Sequence, residues 1–250
     1  DGDDWVEPEM YETLYNAAQK ADADVSFCRV FKDRGEKSED VPLGFDDGMT
    51  FNRASIRHAL IPAMLAQPKD SDDLPLSGYT PRNLFKREAV GAHRFRQDIR
   101  YAEDLLFIVG CMLDAGRAVA VDKAYYHYRC YEGSVTKHFS FHIPESYEKS
   151  NDALDELLAD YPECVRRMRI RRRKMAITTV RNLCYPGTPY EFWERVRRAR
   201  AYMNRPDIVA LFEEIEPRNF PAQLGIKLGL MKRRMAFVMC FLFTYVFDRV

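Results

Sequence analysis

The first part of the chain alternates between segments of helical periodicity and short apolar segments. Apolar residues recur at near-helical spacing after Pro8, which predicts a helix from about Pro8 to Ala21. The apolar and aromatic run from Val25 to Phe31 predicts a buried or half-buried strand. Residues 32–47 are polar and contain Gly and Pro, so we expect a loop or a hairpin arm there.

Similar patterns continue along the chain. Residues 50–66 predict a second helix, and Leu106, Val109 and Leu113 form the apolar face of a helix that Gly116 can end. Two strand-like segments follow, Ala118–Val121 and Tyr125–Tyr131. Beyond Ser146 the pattern is helical nearly to the end, with a break at residues 185–189.

Composition indicates a folded protein. With 250 residues and 46% apolar content, the chain can form one large domain or a domain with a helical extension. The net charge is zero, yet residues 165–200 contain twelve Lys and Arg against two acids.

Six scattered cysteines without a C-x-x-C pair favour reduced core thiols in a cytosolic protein. No signal peptide is visible, and the start at Asp1 suggests a piece of a longer protein.

The last segment combines basic and apolar residues. Lys227, Lys232, Arg233 and Arg234 precede a run of thirteen mostly apolar residues, 235–247. A helix that crosses a bilayer needs about 20 apolar residues, so this run is too short to do so alone. Two interpretations remain open. The segment lies in a membrane interface with its basic residues at the headgroups, or it packs on the domain.

Two acidic motifs and one histidine are candidates for chemistry. Asp1-Gly-Asp-Asp-Trp5 places three carboxylates on a tight turn, which suits Mg²⁺ or Mn²⁺, although an acidic helix cap has the same composition. Glu103 and Asp104 precede an apolar helical face, as catalytic carboxylates or as an ordinary acidic first turn do. His127 lies among aromatic residues, where a half-buried packing role is the usual one.

The order of these motifs is more specific than any one of them. Asp-Gly-Asp-Asp-Trp is followed by Asn-Leu-Phe-Lys-Arg-Glu, by Glu-Asp-Leu-Leu-Phe, and by Tyr-His-Tyr-Arg with Gly-Ser-Val-Thr at residues 133–136. In this series the chain resembles the family 2 glycosyltransferases of the GT-A fold, in particular bacterial enzymes that build capsule, exopolysaccharide or teichoic acid glycans. The resemblance covers about residues 1–137, whereas residues 138–250 resemble only the variable helical tails of that family. The family's nucleotide-binding strands, which precede the Asp-x-Asp turn, are not in this sequence.

The resemblance implies an α/β fold class: residues 1–137 would be the catalytic and acceptor part of a Rossmann-like GT-A domain, and residues 138–250 a basic helical extension. It implies an inverting transfer of a sugar from a nucleotide-sugar donor to a glycan or lipid-linked acceptor in cell-surface polysaccharide synthesis. Asp104 matches the general base. Asp1 and Asp3 match the donor-binding and metal-binding pair, with Mg²⁺ or Mn²⁺ as the ion.

Other positions follow less closely from the same resemblance. His127 matches a third metal ligand, Glu103 would orient an acceptor hydroxyl, and Asn83, Lys86 and Arg129 would line the acceptor or phosphate side. The implied location is cytoplasmic, with residues 225–250 as the candidate for peripheral contact with the inner face of the plasma membrane. The alternative is a non-catalytic module that binds an acceptor or an anionic surface, but no nucleic-acid-binding motif accompanies the arginines, so nucleic acid is not an expected partner.

Overall fold

A computed structural model of the chain describes residues 2–66, 78–130 and 139–246. Asp1 and residues 133–136 of the sequence motifs lie outside the described residues. The described part contains a sheet of six strands. These are β1 (Trp5–Val6), β2 (Val25–Arg34), β3 (Lys37–Val41), β4 (Thr50–Asn52), β5 (Asn83–Phe85) and β6 (Arg117–Arg129).

The centre of the sheet is a parallel pair of long strands. β2 and β6 run side by side, from the Val25–Ala118 pair to the Asp33–Arg129 pair. β3 and β5 add antiparallel to β2, and β1 and β4 add antiparallel to β6. Because β2 and β6 are parallel, both end on the same side of the sheet. We call this side, near the Phe31–His127 pair, the carboxyl edge, and the opposite side, near Val25, the amino edge.

The helices that precede β6 in the chain pack around this sheet. They are α1 (Met10–Ala21), α2 (Arg53–Ser55), α3 (Ile61–Leu65), α4 (Arg87–Val90) and α5 (Glu103–Asp114), with a π-helical turn at Ile56–Leu60 between α2 and α3. Met10 and Leu14 of α1 are completely buried against Cys28, Val30 and Tyr126. The periodic apolar face seen in the sequence therefore covers the central strands.

Contacts divide the chain into two units. One contains residues 1–132 and 149–167, and the other contains residues 133–148 and 168–250. The second unit consists of helices around their own apolar core. The remaining helices are α6 (Ile143–Leu157), α7 (Pro162–Cys184), α8 (Phe192–Met203), α9 (Pro206–Phe212), α10 (Ala222–Lys232) and α11 (Ala236–Tyr245). The sequence boundary at residue 137 differs from this division, because residues 149–167 pack with the first unit.

The α/β fold class with a helical extension is confirmed. The helix predicted from Pro8 to Ala21 begins two residues later, and the strand predicted from Val25 to Phe31 extends to Arg34, where it turns into β3. The two strand-like segments predicted around residues 118 and 125 are one strand, β6. Asp122 and Lys123 made the segment look interrupted, but pairing with β2 continues on both sides of them through an irregularity at Arg29.

Some of the arginines between residues 165 and 200 have local partners or are buried. Arg166 and Arg167 pair with Glu163, and Arg197 and Arg198 pair with Glu194. Arg195 is buried and donates to the Cys184 carbonyl oxygen at 2.8 Å. These arginines therefore have structural contacts within the chain, although Glu163 and Glu194 are each shared by two of them.

Within the described ranges, no helix is both long enough and apolar enough to span a bilayer.

The packing of α1 on the sheet can be tested with two neighbouring residues. We expect Leu14→Ala to lower the free energy of unfolding by about 2–5 kcal/mol, because Leu14 is completely buried and its loss leaves a cavity. Tyr15→Ala, one position along, should change it by less than about 0.5 kcal/mol, since Tyr15 is 56% exposed. Urea denaturation of both variants measures the difference, and equal costs would contradict this packing.

Candidate active site

Asp4 fixes the acidic turn to the end of β6. Its Oδ2 accepts a hydrogen bond from the Tyr126 hydroxyl, and its Oδ1 accepts one from the Arg129 backbone N–H at 2.9 Å. Two further backbone links follow, the pairing of Trp5 with His127 and the hydrogen bond from the Glu7 N–H to the Tyr125 carbonyl oxygen. The turn that carries Asp3 is therefore held at the carboxyl edge.

Asp3 differs from its neighbour. It is half-buried, and no hydrogen bond or ion pair from a described residue reaches its carboxylate. Asp4 therefore makes the structural contacts of the turn, and Asp3 makes none with the described residues. The resemblance singled out Asp3, but the structural role of Asp4 has no signal in the sequence.

His127 is enclosed by aromatic rings and carboxylates. It stacks between Trp5 at 4.7 Å and Phe31 at 4.5 Å, measured between ring centroids. Its Nδ1 lies 2.8 Å from Asp33 Oδ2, and its Nε2 lies 3.1 Å from Glu7 Oε1. Both ring nitrogens are thus occupied in this structure, so metal binding by His127 would require Nε2 to leave Glu7. The assignment of His127 as a metal ligand stays a prediction.

An aromatic contact path leads from Asp4 toward Asp104. The Tyr126 ring lies 6.3 Å from the Tyr79 ring, and Tyr79 lies 5.0 Å from Tyr128. Gly78, the residue before Tyr79, packs against the start of α5. A Cβ added to Gly78 would lie only 2.9 Å from the Asp104 Oδ1 and the Leu105 nitrogen. This close approach requires glycine at position 78 and brings Asp104 to the carboxyl edge.

The N-terminus of α5 has an unusual entry. Ala102, immediately before Glu103, has a left-handed backbone with φ of 62°, which is costly for a residue with a side chain. The Ser150 hydroxyl donates to the Ala102 carbonyl oxygen at 3.1 Å and helps to hold this conformation. Asp104 Oδ1 accepts from the Leu105 N–H at 2.8 Å. Both carboxylates therefore lie in the first turn, where the helix dipole favours negative charge.

Asn83 supports the turn that carries Gly78 and Tyr79. Its side-chain amide donates to the carbonyl oxygens of Tyr79 at 2.9 Å and Thr80 at 3.1 Å. Asn83 is 9% exposed, so its side chain is committed to the backbone of this turn. The structure gives it a positioning role for Tyr79 and Gly78.

Lys86 is not brought together with the other predicted residues. Its ammonium group pairs with Asp24 at 3.2 Å and Asp22 at 3.6 Å, and Asp24 in turn accepts from the Gly116 N–H at 2.7 Å. These residues lie at the amino edge, beside the end of α5. Asp104 lies at the other end of α5, whose twelve residues span roughly 18 Å at a rise of about 1.5 Å per residue.

Arg129 does lie at the carboxyl edge. Its guanidinium carbon is 5.4 Å from the centre of the Trp5 ring, and the residue is exposed. The cation lies against an aromatic face and remains accessible to an anion. The carboxyl edge therefore contains Arg129 and three acidic residues, Asp3, Glu103 and Asp104.

The fold and the site define an α/β protein with carboxylates from two separate motifs at the carboxyl edge of a parallel strand pair, the place where ligands bind in open α/β sheets. No protein-family model matches the chain. Over 139 residues it is 27% identical to EpsJ of Bacillus subtilis (strain 168), an uncharacterized glycosyltransferase; the match covers 55% of this chain and 38% of EpsJ. The chain thus spans well under half of this relative's length.

Solved structures of TarS from S. aureus have the same fold. Residues 1–349 of TarS, crystallised in complex with UDP-GlcNAc, match with a TM-score of 0.55 and 15% identity, covering 100% of this chain and 69% of that chain. A second structure of TarS 1–349 matches with a TM-score of 0.50 and 15% identity over 100% of this chain and 68% of that chain. At this level of identity the likeness establishes the fold.

The Tyr126–Asp4 contact can be tested through its pH dependence. Burial and the hydrogen bond to the Asp4 carboxylate raise the pKa of Tyr126 well above its usual value. A group with a raised pKa stabilises the fold below its unfolded pKa, about 10 for tyrosine, and this stability is lost as the pH rises further. We therefore expect Tyr126→Phe to lower the unfolding free energy by about 1–3 kcal/mol at pH 7 and to flatten its fall above pH 10.

Urea denaturation between pH 7 and 11 measures both effects. Tyr15→Phe is the matched control, because Tyr15 is exposed and should behave as the wild type does. Identical pH profiles for the wild type and Tyr126→Phe would contradict the contact.

Proposed function

We propose that the chain is the catalytic and acceptor part of an inverting glycosyltransferase of the GT-A fold. It moves a sugar from a nucleotide-sugar donor to a hydroxyl of a glycan or lipid-linked acceptor in cell-surface polysaccharide synthesis. The observation that carries this proposal is the meeting of the Asp3–Asp4 turn and the Glu103–Asp104 helix start at one edge of the sheet. The similarity to EpsJ and the shared fold with TarS, whose crystal structure contains UDP-GlcNAc, support it.

In this proposal Asp104 is the general base. The acceptor hydroxyl gives its proton to the Asp104 carboxylate as its oxygen bonds to the anomeric carbon of the donor. The bond from that carbon to the diphosphate oxygen breaks in the same step, and the nucleoside diphosphate leaves. Attack from the side opposite the leaving group inverts the configuration. Glu103, the first residue of α5, orients the acceptor hydroxyl.

The described residues fit a divalent ion shared with the donor. Among them, no cluster of three or more His, Cys, Asp or Glu residues could hold a metal alone. Asp3 offers hard oxygen atoms, and Mg²⁺ and Mn²⁺ commonly use one or two carboxylates together with substrate phosphates. When bound, such an ion offsets the charge that the leaving diphosphate gains. Asp1, by resemblance, adds a second carboxylate, and Arg129 adds a cation on the phosphate side.

The role of Asp104 is tested by Asp104→Asn in the full protein. Because the amide cannot accept the proton, we expect turnover to fall by about 10²–10⁴-fold while binding of the nucleotide sugar is nearly unchanged. Asp114→Asn is the matched control, since it makes the same change at the other end of α5 and should keep normal turnover. Product formation from a screen of nucleotide sugars and calorimetric donor binding are measured. An active Asp104→Asn enzyme would refute the assignment.

The two adjacent aspartates give a test of the metal. We expect Asp3→Asn to raise the Mg²⁺ or Mn²⁺ concentration for half-maximal turnover at least about tenfold with little loss of folding stability, because its carboxylate holds no described neighbour. Asp4→Asn should instead lower the unfolding free energy, because it weakens the contacts to Tyr126 and Arg129.

Metal titration of the turnover rate and urea denaturation separate these effects. If Asp3→Asn leaves the metal titration unchanged, Asp3 is not a ligand. His127→Ala in the same titration decides whether the imidazole exchanges Glu7 for the ion, since a shifted midpoint supports a third ligand and an unchanged one leaves His127 as a packing residue.

A further inference from the structure

Helix α11 has two different faces. Ala236, Met239, Cys240 and Phe243 are buried in the core of the second unit. On the other face, Phe237, Phe241 and Tyr245 recur every four residues, and each is 46–49% exposed. One face of the helix therefore packs on the protein, and the other is uncovered.

The uncovered face continues onto α8. Trp193 is 70% exposed, and its ring stacks on Phe237 with 5.7 Å between centroids and 25° between planes. Phe241 and Tyr245 are themselves in contact at 5.1 Å. We call Trp193, Phe237, Phe241 and Tyr245 the aromatic face. Exposed aromatic residues in one contiguous patch mark an interaction site on a folded protein.

The charge on the α10–α11 side of the aromatic face has one sign, whereas on α8 Trp193 lies between Glu191 and Glu194, and Glu194 pairs with Arg197 and Arg198. Residues 222–246 contain four basic residues and no acidic residue. Arg233 and Arg234 form the turn between α10 and α11, directly before Met235, which is 40% exposed. Within the described residues neither arginine pairs with an acid, in contrast to Arg166 and Arg197, which pair with Glu163 and Glu194. We therefore expect the partner of this surface to carry negative charge.

We propose that the aromatic face, together with Arg233 and Arg234, docks the protein on an anionic phospholipid bilayer. Trp193 and the exposed side of α11 enter the headgroup region, and the two arginines contact lipid phosphates. Tryptophan and tyrosine favour this depth because their rings are apolar with one polar atom, and basic residues gain from the negative surface potential. Helix α11 lies in the plane of the membrane, because its ten residues are too few to cross it.

This inference does not depend on glycosyl transfer, and its test uses neither donor nor acceptor. The protein is sedimented with vesicles of phosphatidylcholine alone and of phosphatidylcholine with 30 mol% phosphatidylglycerol, a composition of roughly physiological negative charge. We expect binding to the anionic vesicles, little binding to the neutral ones, and weakening of binding by salt. A blue shift of tryptophan fluorescence should accompany binding and disappear in Trp193→Phe, which leaves Trp5 as the one tryptophan of the chain.

Paired variants test which residues are responsible. Phe237→Ser with Phe241→Ser should lower the vesicle partition constant at least about fivefold. Tyr11→Ser with Tyr15→Ser removes two aromatic residues at the same four-residue spacing, exposed by 53% and 56% on α1, and should leave it unchanged. Arg233→Gln with Arg234→Gln should lower it about 25-fold, since each basic residue near an anionic surface contributes about fivefold. Arg166→Gln with Arg169→Gln makes the same charge change at two arginines that pair with acids, and it should lower the vesicle partition constant less.

Circular dichroism checks that each variant is folded. The proposal is overturned if the protein does not bind anionic vesicles, or if it binds them equally well after the Phe237 and Phe241 substitutions. It is also overturned if ultracentrifugation shows self-association that these substitutions abolish while vesicles do not bind, because the aromatic face would then be a contact between protein chains.

Discussion

The parallel pairing of β2 with β6 determines where the acidic groups of the site can lie. Because the two strands end together, the residues that follow their last residues, or pair with them, lie at the same edge of the sheet. β1 pairs with β6 at this edge and carries the Asp3–Asp4 turn with it. Helix α5 ends at the amino edge, where its connection enters β6, so its first turn lies toward the opposite edge. The strand pair thus brings together residues about 100 positions apart in sequence.

Side-chain contacts fix the positions of the acidic residues at the carboxyl edge. The Tyr126 hydroxyl holds Asp4, and the Tyr126–Tyr79 contact links that residue to the turn at Gly78, which touches Asp104. Asn83 holds the backbone of the same turn through two carbonyl oxygens. The carboxylates proposed for catalysis are therefore positioned by neighbours that do not react. In the same region, the backbone of Ala102 is in the strained left-handed conformation, and such strain is common at functional sites.

The helical periodicity of α1 and the apolar run of β2 were sufficient to predict these two elements, and the family resemblance supplied the α/β class. The sequence was insufficient wherever tertiary pairing overrode local composition. Asp122 and Lys123 interrupt an apolar pattern, yet β6 continues through them because β2 pairs on either side. In the acidic turn, the resemblance singled out Asp3, but the structural role of Asp4 depends on its distant partners Tyr126 and Arg129. Lys86 follows the motif residue Asn83 closely, but β5 directs it to the amino edge and to Asp24.

We propose that both acidic motifs act on one donor and one acceptor at the carboxyl edge. A crystal structure of the full protein with Mn²⁺, an unreactive nucleotide-sugar analogue and an acceptor is the most direct test. We expect the diphosphate beside Asp3 and an acceptor hydroxyl within about 3 Å of both the Asp104 carboxylate and the anomeric carbon. A diphosphate bound at the amino edge beside Lys86, or an acceptor hydroxyl out of reach of Asp104, would contradict it.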